Sequence, residues 1–443
     1  MPTFTDRASF GSRFGFIFAA VGSAVGLGAI WKFPYVMGQN GGGAFLLVYL
    51  GCVMTIGIAL LLAEMLLGRM SQRTATSAFR VLKGGSWPVV GLFQVLALYI
   101  IVSFYVVVGG WTLAYLVSAL GGHVIPDSSD QAATRFSTVI SNPIQAIAYT
   151  LGFLLLTAGV VIGGVEKGIE RFSKFLMPAL FILMLILMAR VLTLPNAIDG
   201  LLYYLTPDFS KISGKMLIDA LGLTFFSLSL GCGMIVAYGS YLTQSHRLVS
   251  TSIWVALLAS LSGLMAAMII LPAVFAFGMN PEQGPGLTFI TMPVIFGQMP
   301  FGELFAVAFF ILLLFAALTS SVSLLEGIVG YFIDDWQWSR AKASWLICAA
   351  VFVLSIPNAL SFGIWSTPLL GDKTFFDLMD YAAVNILMPA GGFAVAVFVG
   401  WVIWPRVQTE LAEECTPYWQ QVFRWICAVI APLVIAVIWY TNL

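Results

Sequence analysis

The hydrophobic pattern of this chain is one of long runs rather than of alternation. Apolar residues gather at 14–37, 43–68, 88–120, 143–163, 172–194, 216–241, 249–278, 301–333, 343–360, 379–404 and 422–440. Each run approaches or exceeds the roughly 20 residues that a helix needs to cross a bilayer. Those longer than 25 residues predict helices that tilt or continue beyond the lipid. Polar residues and most of the charge fall between the runs. The pattern predicts an all-α polytopic membrane protein with 11 transmembrane helices. An odd number sets the two termini on opposite sides.

Two of the runs depart from a simple helix. The first carries Ser23-Ala24-Val25-Gly26-Leu27-Gly28 at its centre, with Gly22 just before it. The sixth carries Ser227-Leu228-Ser229-Leu230-Gly231-Cys232-Gly233. Glycine is poorly suited to a helix interior. Backbone freed from a helix within lipid survives only inside protein or lining a cavity. Helices one and six are therefore expected to break at mid-membrane and to form a binding site there. Loose carbonyls can hold a cation, and a half-helix N-terminus can hold an anion. Each broken helix would open a five-helix unit, one entering from inside and one from outside, which is an inverted repeat. The expected division is one domain over 1–443, with repeats at 7–194 and 216–404 and an eleventh helix and C-terminus at 405–443.

Composition narrows the class. The chain is 60% hydrophobic and only 9% charged, against about 25% charged in soluble domains. Zero formal net charge gives no reason to expect a nucleic-acid partner. The five cysteines are scattered, without metal-ligand spacing, and read as small buried residues. The first run is too long for a cleavable signal and lacks a small-residue cleavage site. With the N-terminus inside, 14 of the 20 Lys and Arg residues fall on cytoplasmic segments. That bias predicts a cytoplasmic N-terminus and an external C-terminus. Loops 121–142 and 279–300 are then external, the second with a turn at 281–286 and a short helical cap. No Ser/His/Asp set, HExxH or phosphate loop is present, so no enzyme is expected.

Several ordered motifs resemble one family. Gly22 to Gly28, Trp31-Lys32-Phe33-Pro34-Tyr35 and Asn40-Gly41-Gly42-Gly43-Ala44-Phe45 are similar to the opening signature of the neurotransmitter:sodium symporters. Trp111-Thr112-Leu113, Ser227 to Gly233 and Leu318-Thr319-Ser320-Ser321 follow in the family's order. The match covers essentially the whole chain, and eleven helices resemble the bacterial members. The resemblance implies the LeuT fold and sodium-coupled uptake of an amino acid across the bacterial inner membrane. Two other readings stand beside it: a proton-coupled or ion-uncoupled exchanger of amino acids or amines with the same fold, and a transporter-like substrate sensor. The short tails argue against the sensor.

The family's second sodium site maps onto the carbonyls of Gly22, Val25 and Ala316 and the hydroxyls of Thr319 and Ser320. Such hydroxyls can instead bond back to their own helix. The first sodium site departs from the family pattern. Ala29 and Ala259 stand where amide or acid side chains are usual, and Leu223 stands for a Gln. Gly263 falls near the position of the acid or serine linked to chloride. Stripping a cation of water in an under-filled site is costly. One sodium ion and no chloride are therefore expected.

The substrate positions implied by the resemblance are Ser23, Ala24, Leu27, Gly28, Ile101, Tyr105, Phe226, Ser227, Ser229, Cys232, Ser320 and Leu324. Tyr105 would donate its hydroxyl to a substrate carboxylate beside the Leu27 and Gly28 amides. Gly26 replaces the Asp of amine-transporting relatives, which favours an amino acid. Cys232 replaces a common bulky aromatic, and the remaining walls favour a neutral, hydrophobic side chain. Lys32 and Asp380 would pair at an outer gate above Phe226. Arg7 and Asp334 would pair at an inner gate near Tyr241 and Phe10. Gly168 and Pro178 resemble a motif linked to unwinding of helix five. Glu64, an acid inside the second run near Arg69, is either functional or a partner for broken backbone. His123 and His246 are expected in loops. Lipid and a small amino acid are the expected partners.

Overall fold

The computed structural model describes residues 9–126, 128–243, 247–279 and 286–442, and every regular element among them is helical. Helices α1 (Arg13–Ala24) and α2 (Gly28–Gln39) meet at a 55° bend. Then come α3 (Gly43–Ser71), α4 (Ala75–Leu82) and α5 (Pro88–Leu120). The short α6 (Ser129–Ser141) leads into α7 (Pro143–Ile162) and α8 (Val165–Val191). Next are α9 (Ala197–Leu205), α10 (Gly214–Ser227) and α11 (Met234–Gly239). The remainder is α12 (Leu248–Ala276), α13 (Leu287–Gly297), α14 (Gly302–Trp336), α15 (Arg340–Leu360), α16 (Phe375–Val402), α17 (Trp404–Glu410) and α18 (Pro417–Tyr440).

Among the described residues, 9 helices are long and apolar enough to cross a membrane, or 10 if α1 and α2 form one bent span. The sixth apolar run does not add another by this measure. It is divided into α10 of 14 residues and α11 of 6, with residues 228–233 between them. Three helices, α8, α16 and α18, start four or more residues earlier than their apolar runs. Glu166, Lys167, Glu170 and Arg171 lower the hydropathy of α8's first turns without opposing helix. Thr374 and Asp377 form a capping box ahead of α16, and Pro417 sits in the first turn of α18. The turn expected at 281–286 lies, apart from Gly286, outside the described residues, as do Arg7 and His246, and α13 begins at Leu287.

The centre of the molecule is α14 packed along α5. Helix α1 lies among α8, α12 and α14, and α3 runs beside both α10 and α11. Small residues permit the closest approaches. A Cβ on Gly68 of α3 would stand 2.2 Å from the Val236 carbonyl of α11, and one on Gly239 would stand 2.7 Å from the Met65 carbonyl. Such close backbone contact is a usual means of joining helices in membranes, where apolar burial gives no drive. Gly231 is constrained twice. Its φ is +86°, and its Cβ would lie 1.9 Å from the Met388 carbonyl of α16.

Arg69 does not turn toward Glu64. Its guanidinium reaches Glu410 at 2.8 Å and Glu414 at 3.4 Å. Glu414 also accepts from the Leu248 and Val249 amides at 2.9 and 2.8 Å, capping α12. One carboxylate thus ties the ends of α3, α17 and α12 together.

Gly231→Ala is expected to destabilise the purified protein by about 1–3 kcal/mol, through forced overpacking and a disfavoured φ. Gly51→Ala, at a position with nothing within 4 Å, is expected to change stability by about 0.5 kcal/mol or less. Thermal unfolding in detergent distinguishes the two; equal effects would show that the α16 contact carries no weight.

Candidate substrate and ion site

The bend between α1 and α2 is built from glycines that admit close neighbours. A Cβ on Gly26 would meet Ser320 Oγ at 2.6 Å and Tyr105 Oη at 2.8 Å. One on Gly28 would overlap the Phe226 ring at 1.9 Å. Helix α1 ends at Ala24, and Val25 leaves helical geometry with ψ of 70°. Beyond it, the Ala29 and Ile30 amides both turn to the Gly26 carbonyl, at 3.1 and 3.4 Å. The Val25 carbonyl therefore loses Ala29, its ordinary partner four residues on.

The interruption between α10 and α11 is held from several sides. Ser229 has φ of 54°, and Gly231 and Gly233 have φ of 86° and 79°. The Leu230 amide bonds back to the Phe225 carbonyl at 2.9 Å. Glu64 of α3 is fully buried and accepts the Gly231 amide at 2.6 Å. A carboxylate inside the second run thus serves as the partner of freed backbone. The two interruptions also touch: the Ser229 hydroxyl donates to the Ser23 carbonyl at 3.2 Å.

Of the twelve substrate positions named from sequence, ten line one cavity of about 60 Å³ between the interruptions. Leu27 and Ser227 do not. The Leu27 amide donates to the Tyr105 hydroxyl at 3.1 Å, and the Ser227 hydroxyl pairs with that of Tyr49 at 2.9 Å. The cavity also includes Phe104, Met234, Val384 and Met388. Phe104 was within reach of the sequence reading, being three residues from Ile101 on one helix face. Val384 and Met388 come from α16, which no spacing in the chain connects to the other walls.

Of the oxygens assigned to a sodium ion, Ser320 Oγ donates to the Gly22 and Ser23 carbonyls, each at 3.1 Å. Thr319 Oγ1 bonds to the Phe315 and Ala316 carbonyls of its own helix at 3.0 and 3.1 Å. Thr319 nevertheless faces α1, because a Cβ on Gly22 would stand 3.0 Å from Thr319 Cβ. The oxygens of Gly22, Ala316, Thr319 and Ser320 are thus linked in pairs by hydroxyl hydrogens. Around Ala29 and Ala259 the side-chain oxygens left are hydroxyls such as those of Tyr49 and Ser227, and Ala29 itself lines the cavity. Ala29 and Ala259 are buried, as is Leu223. The Phe33 ring lies 3.1 Å from a Cβ position on Gly263 and meets Tyr49 edge-on at 5.0 Å.

The outer pair does not close in this structure. Lys32 Nζ lies over the Phe226 ring, 4.5 Å from its centroid, and no ion pair joins it to Asp380. At the inner end, Asp334 accepts from the Thr74 amide and hydroxyl at 2.7 and 2.8 Å and stands 4.0 Å from Arg73. The Tyr241 hydroxyl donates to Glu326 at 2.7 Å, and Arg340 grips Glu326 at 2.7 and 3.0 Å. Sequence reasoning passed over Glu326, although an acid inside an apolar run was signal enough. Glu170 of α8 accepts the Gly11 amide at 2.6 Å and the Ser12 hydroxyl at 2.9 Å, fastening the start of α1. The first turns of α8 at Val165–Glu170, which include Gly168, are wide π turns, and Pro178 lies inside the helix beyond them.

A family model described as the sodium:neurotransmitter symporter family matches residues 7–135 and 130–443. An uncharacterised sodium-dependent transporter, YhdH, of Bacillus subtilis is 41% identical over 389 residues, covering 88% of this chain and 86% of that protein. The crystal structure of MhsT in complex with L-phenylalanine is similar with a TM-score of 0.91 at 40% identity, covering 99% of this chain and 100% of the other. The human sodium- and chloride-dependent creatine transporter 1 is 28% identical over 460 residues, covering 89% of this chain and 70% of that one.

Glu64→Ala is expected to cost about 1–3 kcal/mol, the penalty for a buried amide left without an acceptor. Glu64→Gln, which retains an oxygen for Gly231, is expected to lose less. Chemical denaturation of the purified protein reads the difference; equal losses would remove Glu64 from its role at the second interruption.

Proposed function

The chain belongs to the sodium:neurotransmitter symporter family, whose members are sodium-dependent transporters and not enzymes, and from that premise we propose that it imports a neutral, hydrophobic amino acid by alternating access. The carrying observation is the junction of the two interruptions: Ser229 on the Ser23 carbonyl, with Ser320 on Gly22 and Ser23 from the opposite side. Substrate and ion then share one seat. The proposed architecture is the LeuT fold, with eleven spans, the first and sixth broken at mid-membrane, and a 5+5 inverted repeat at 7–194 and 216–404. The chain lies in a bacterial inner membrane with its N-terminus cytoplasmic and its C-terminus external.

Chemistry supports the assignment of groups. The Tyr105 hydroxyl accepts the Leu27 amide, so its own hydrogen remains to be offered to a substrate carboxylate. Gly26 provides no counter-charge for an isolated amine. The substrate's ammonium group meets the carbonyls freed at the interruptions. Ile101, Phe104, Leu324, Val384 and Met388 make the wall around the side chain apolar. The similar structure of MhsT holds L-phenylalanine, a substrate of this kind.

Coupling rests on one sodium ion at Gly22, Val25, Ala316, Thr319 and Ser320. Its arrival replaces the hydroxyl-to-carbonyl bonds that now link those oxygens. Neutral ligands leave it free to depart again. Ala29, Ala259 and Leu223 give no side-chain oxygen for a second ion. Chloride would have to break the Tyr49–Ser227 bond and displace Phe33 from Gly263. The same alanines favour, as a second reading, an exchanger that runs on protons or without a coupled ion.

Screening the twenty amino acids by thermal shift is expected to show stabilisation by large apolar ones, in sodium but not potassium buffer. A ligand at 100 times its Kd adds about 2.7 kcal/mol. In vesicles, uptake should continue when chloride is replaced by gluconate, with one sodium entering per substrate. Ser320→Ala should raise the half-saturating sodium concentration by about tenfold, the equivalent of one lost ligand. Two sodium ions per substrate would overturn the single-site reading, and undiminished uptake without sodium would favour the exchanger.

A further inference from the structure

Helix α18 crosses α16 where Gly400 meets Ala428, since a Cβ on Gly400 would stand 2.8 Å from the Ala428 backbone. The Trp401 indole fastens this crossing by donating to the Ala428 carbonyl at 2.9 Å. Beside it lies a groove of about 400 Å³ bounded by Trp401, Gln421, Arg424, Trp425, Ala428 and Val429. No part of the substrate or ion site reaches this groove.

Arg424 is the feature that needs explaining. It lies near the start, cytoplasmic in the proposed orientation, of the span Pro417–Tyr440, roughly 10 Å along the axis from its first residue at 1.5 Å per residue, where polar residues give way to the apolar part of the helix. Arg69, Arg80 and Arg340 each face a carboxylate. Arg424 does not. Its Nε reaches the Gly400 carbonyl at 3.4 Å, and its guanidinium carbon lies 5.3 Å from the centre of the Trp404 ring. Among the described residues, its two terminal nitrogens have no acceptor. A guanidinium at a membrane span pairs with opposite charge or with backbone carbonyls; among the described residues Arg424 has the Gly400 carbonyl and no carboxylate, which leaves its outer nitrogens open to an anion.

The surroundings identify where that anion comes from. Tyr418, Trp419 and Trp425 are exposed near the start of α18, as aromatic residues are at the headgroup level. Only 33% of the apolar window of this helix is buried within the protein, so its outer face meets lipid. Trp425, Val429, Leu433 and Val437 follow at spacings of four and form one stripe leading away from Arg424. A charged, partly sheltered head site therefore continues into an apolar surface of acyl-chain character.

We propose that this groove binds the phosphate of an anionic phospholipid. The terminal nitrogens of Arg424 take two phosphate oxygens as a planar fork, and the Gln421 amide is the second donor. The glycerol lies against Trp425 and the acyl chains follow the stripe. In the orientation proposed above, on which this placement rests, the lipid belongs to the cytoplasmic leaflet. A zwitterionic headgroup is the poorer occupant because its own ammonium competes for the phosphate, and its net charge is zero.

Native mass spectrometry of the full chain tests this with no need of transport, so its outcome is separate from the substrate assignment. Dioleoyl-phosphatidylglycerol is expected to bind about fivefold more tightly than dioleoyl-phosphatidylcholine, the weight of one basic side chain at an anionic surface. Arg424→Gln should abolish that preference, while Arg80→Gln, whose partner is Asp335, should keep it. Gln421→Leu, which leaves Arg424 and the helix crossing in place, should weaken phosphatidylglycerol binding in the same direction. It decides the matter should Arg424→Gln fail to fold. Equal binding of the two lipids by the unaltered chain, a preference that survives Arg424→Gln, phosphatidylglycerol binding undiminished by Gln421→Leu, or displacement of the lipid by inorganic phosphate alone would each overturn the proposal.

Discussion

A peptide group released from a helix inside a membrane must find another partner, because lipid offers none. The architecture of this chain around its two interruptions follows from that requirement. The Gly231 amide is taken by Glu64, the Ser23 carbonyl by Ser229 and Ser320, and the Gly22 carbonyl by Ser320. The Leu27 amide goes to Tyr105. The partners come from α3, α5, α14 and the segment between α10 and α11, so satisfying the loose backbone brings these parts to one place. Glycine is then selected where backbone must approach backbone, as at Gly231 against Met388.

Strength and reversibility meet in the choice of these partners. A hydroxyl on a carbonyl contributes about 0.5–1.5 kcal/mol net, enough to order a segment and little enough to be exchanged. The Ser320 and Thr319 hydroxyls are of this kind, and they are the groups a cation would replace. Glu64 of α3 is fully buried and holds the Gly231 amide of the second interruption at 2.6 Å. Carboxylates also secure the periphery: Glu326 with Arg340, Glu170 with the start of α1, and Glu414 with Arg69 and α12. Weak neutral bonds thus sit at the seat, and charged bonds hold the scaffold around it.

Much of this was legible in the chain because membrane spans are written in one dimension. A run of apolar residues with three glycines at its centre announces both a helix and its interruption. The positions of Ser229, Ser320 and Tyr105 at the cavity were readable from motif order. What escaped the reading depends on contacts between distant segments. Val384 and Met388 join the cavity only because α16 packs across Gly231. Lys32 rests on Phe226 rather than reaching Asp380, a choice made by side-chain geometry that charge sign alone does not give. Glu64 and Arg69 are neighbours in sequence but face opposite tasks, since five residues on a helix turn them to different sides.

Ala29, Ala259 and Leu223 are buried and bring no side-chain oxygen to the neighbourhood of Tyr49 and Ser227; a buried polar group needs a partner to offset its desolvation. Here the surviving hydroxyls of Tyr49 and Ser227 satisfy each other, and Phe33 covers Gly263. On the proposed reading, a substrate carboxylate without an ion beside it relies on fixed donors, and the Tyr105 hydroxyl, held in place by the Leu27 amide, stands at the cavity to be one. On the same reading, the glycines that free carbonyls for a cation on one side of the bend also admit Tyr105 and Ser320 at close range on the other, so that one bend in α1–α2 would serve the substrate and its ion together.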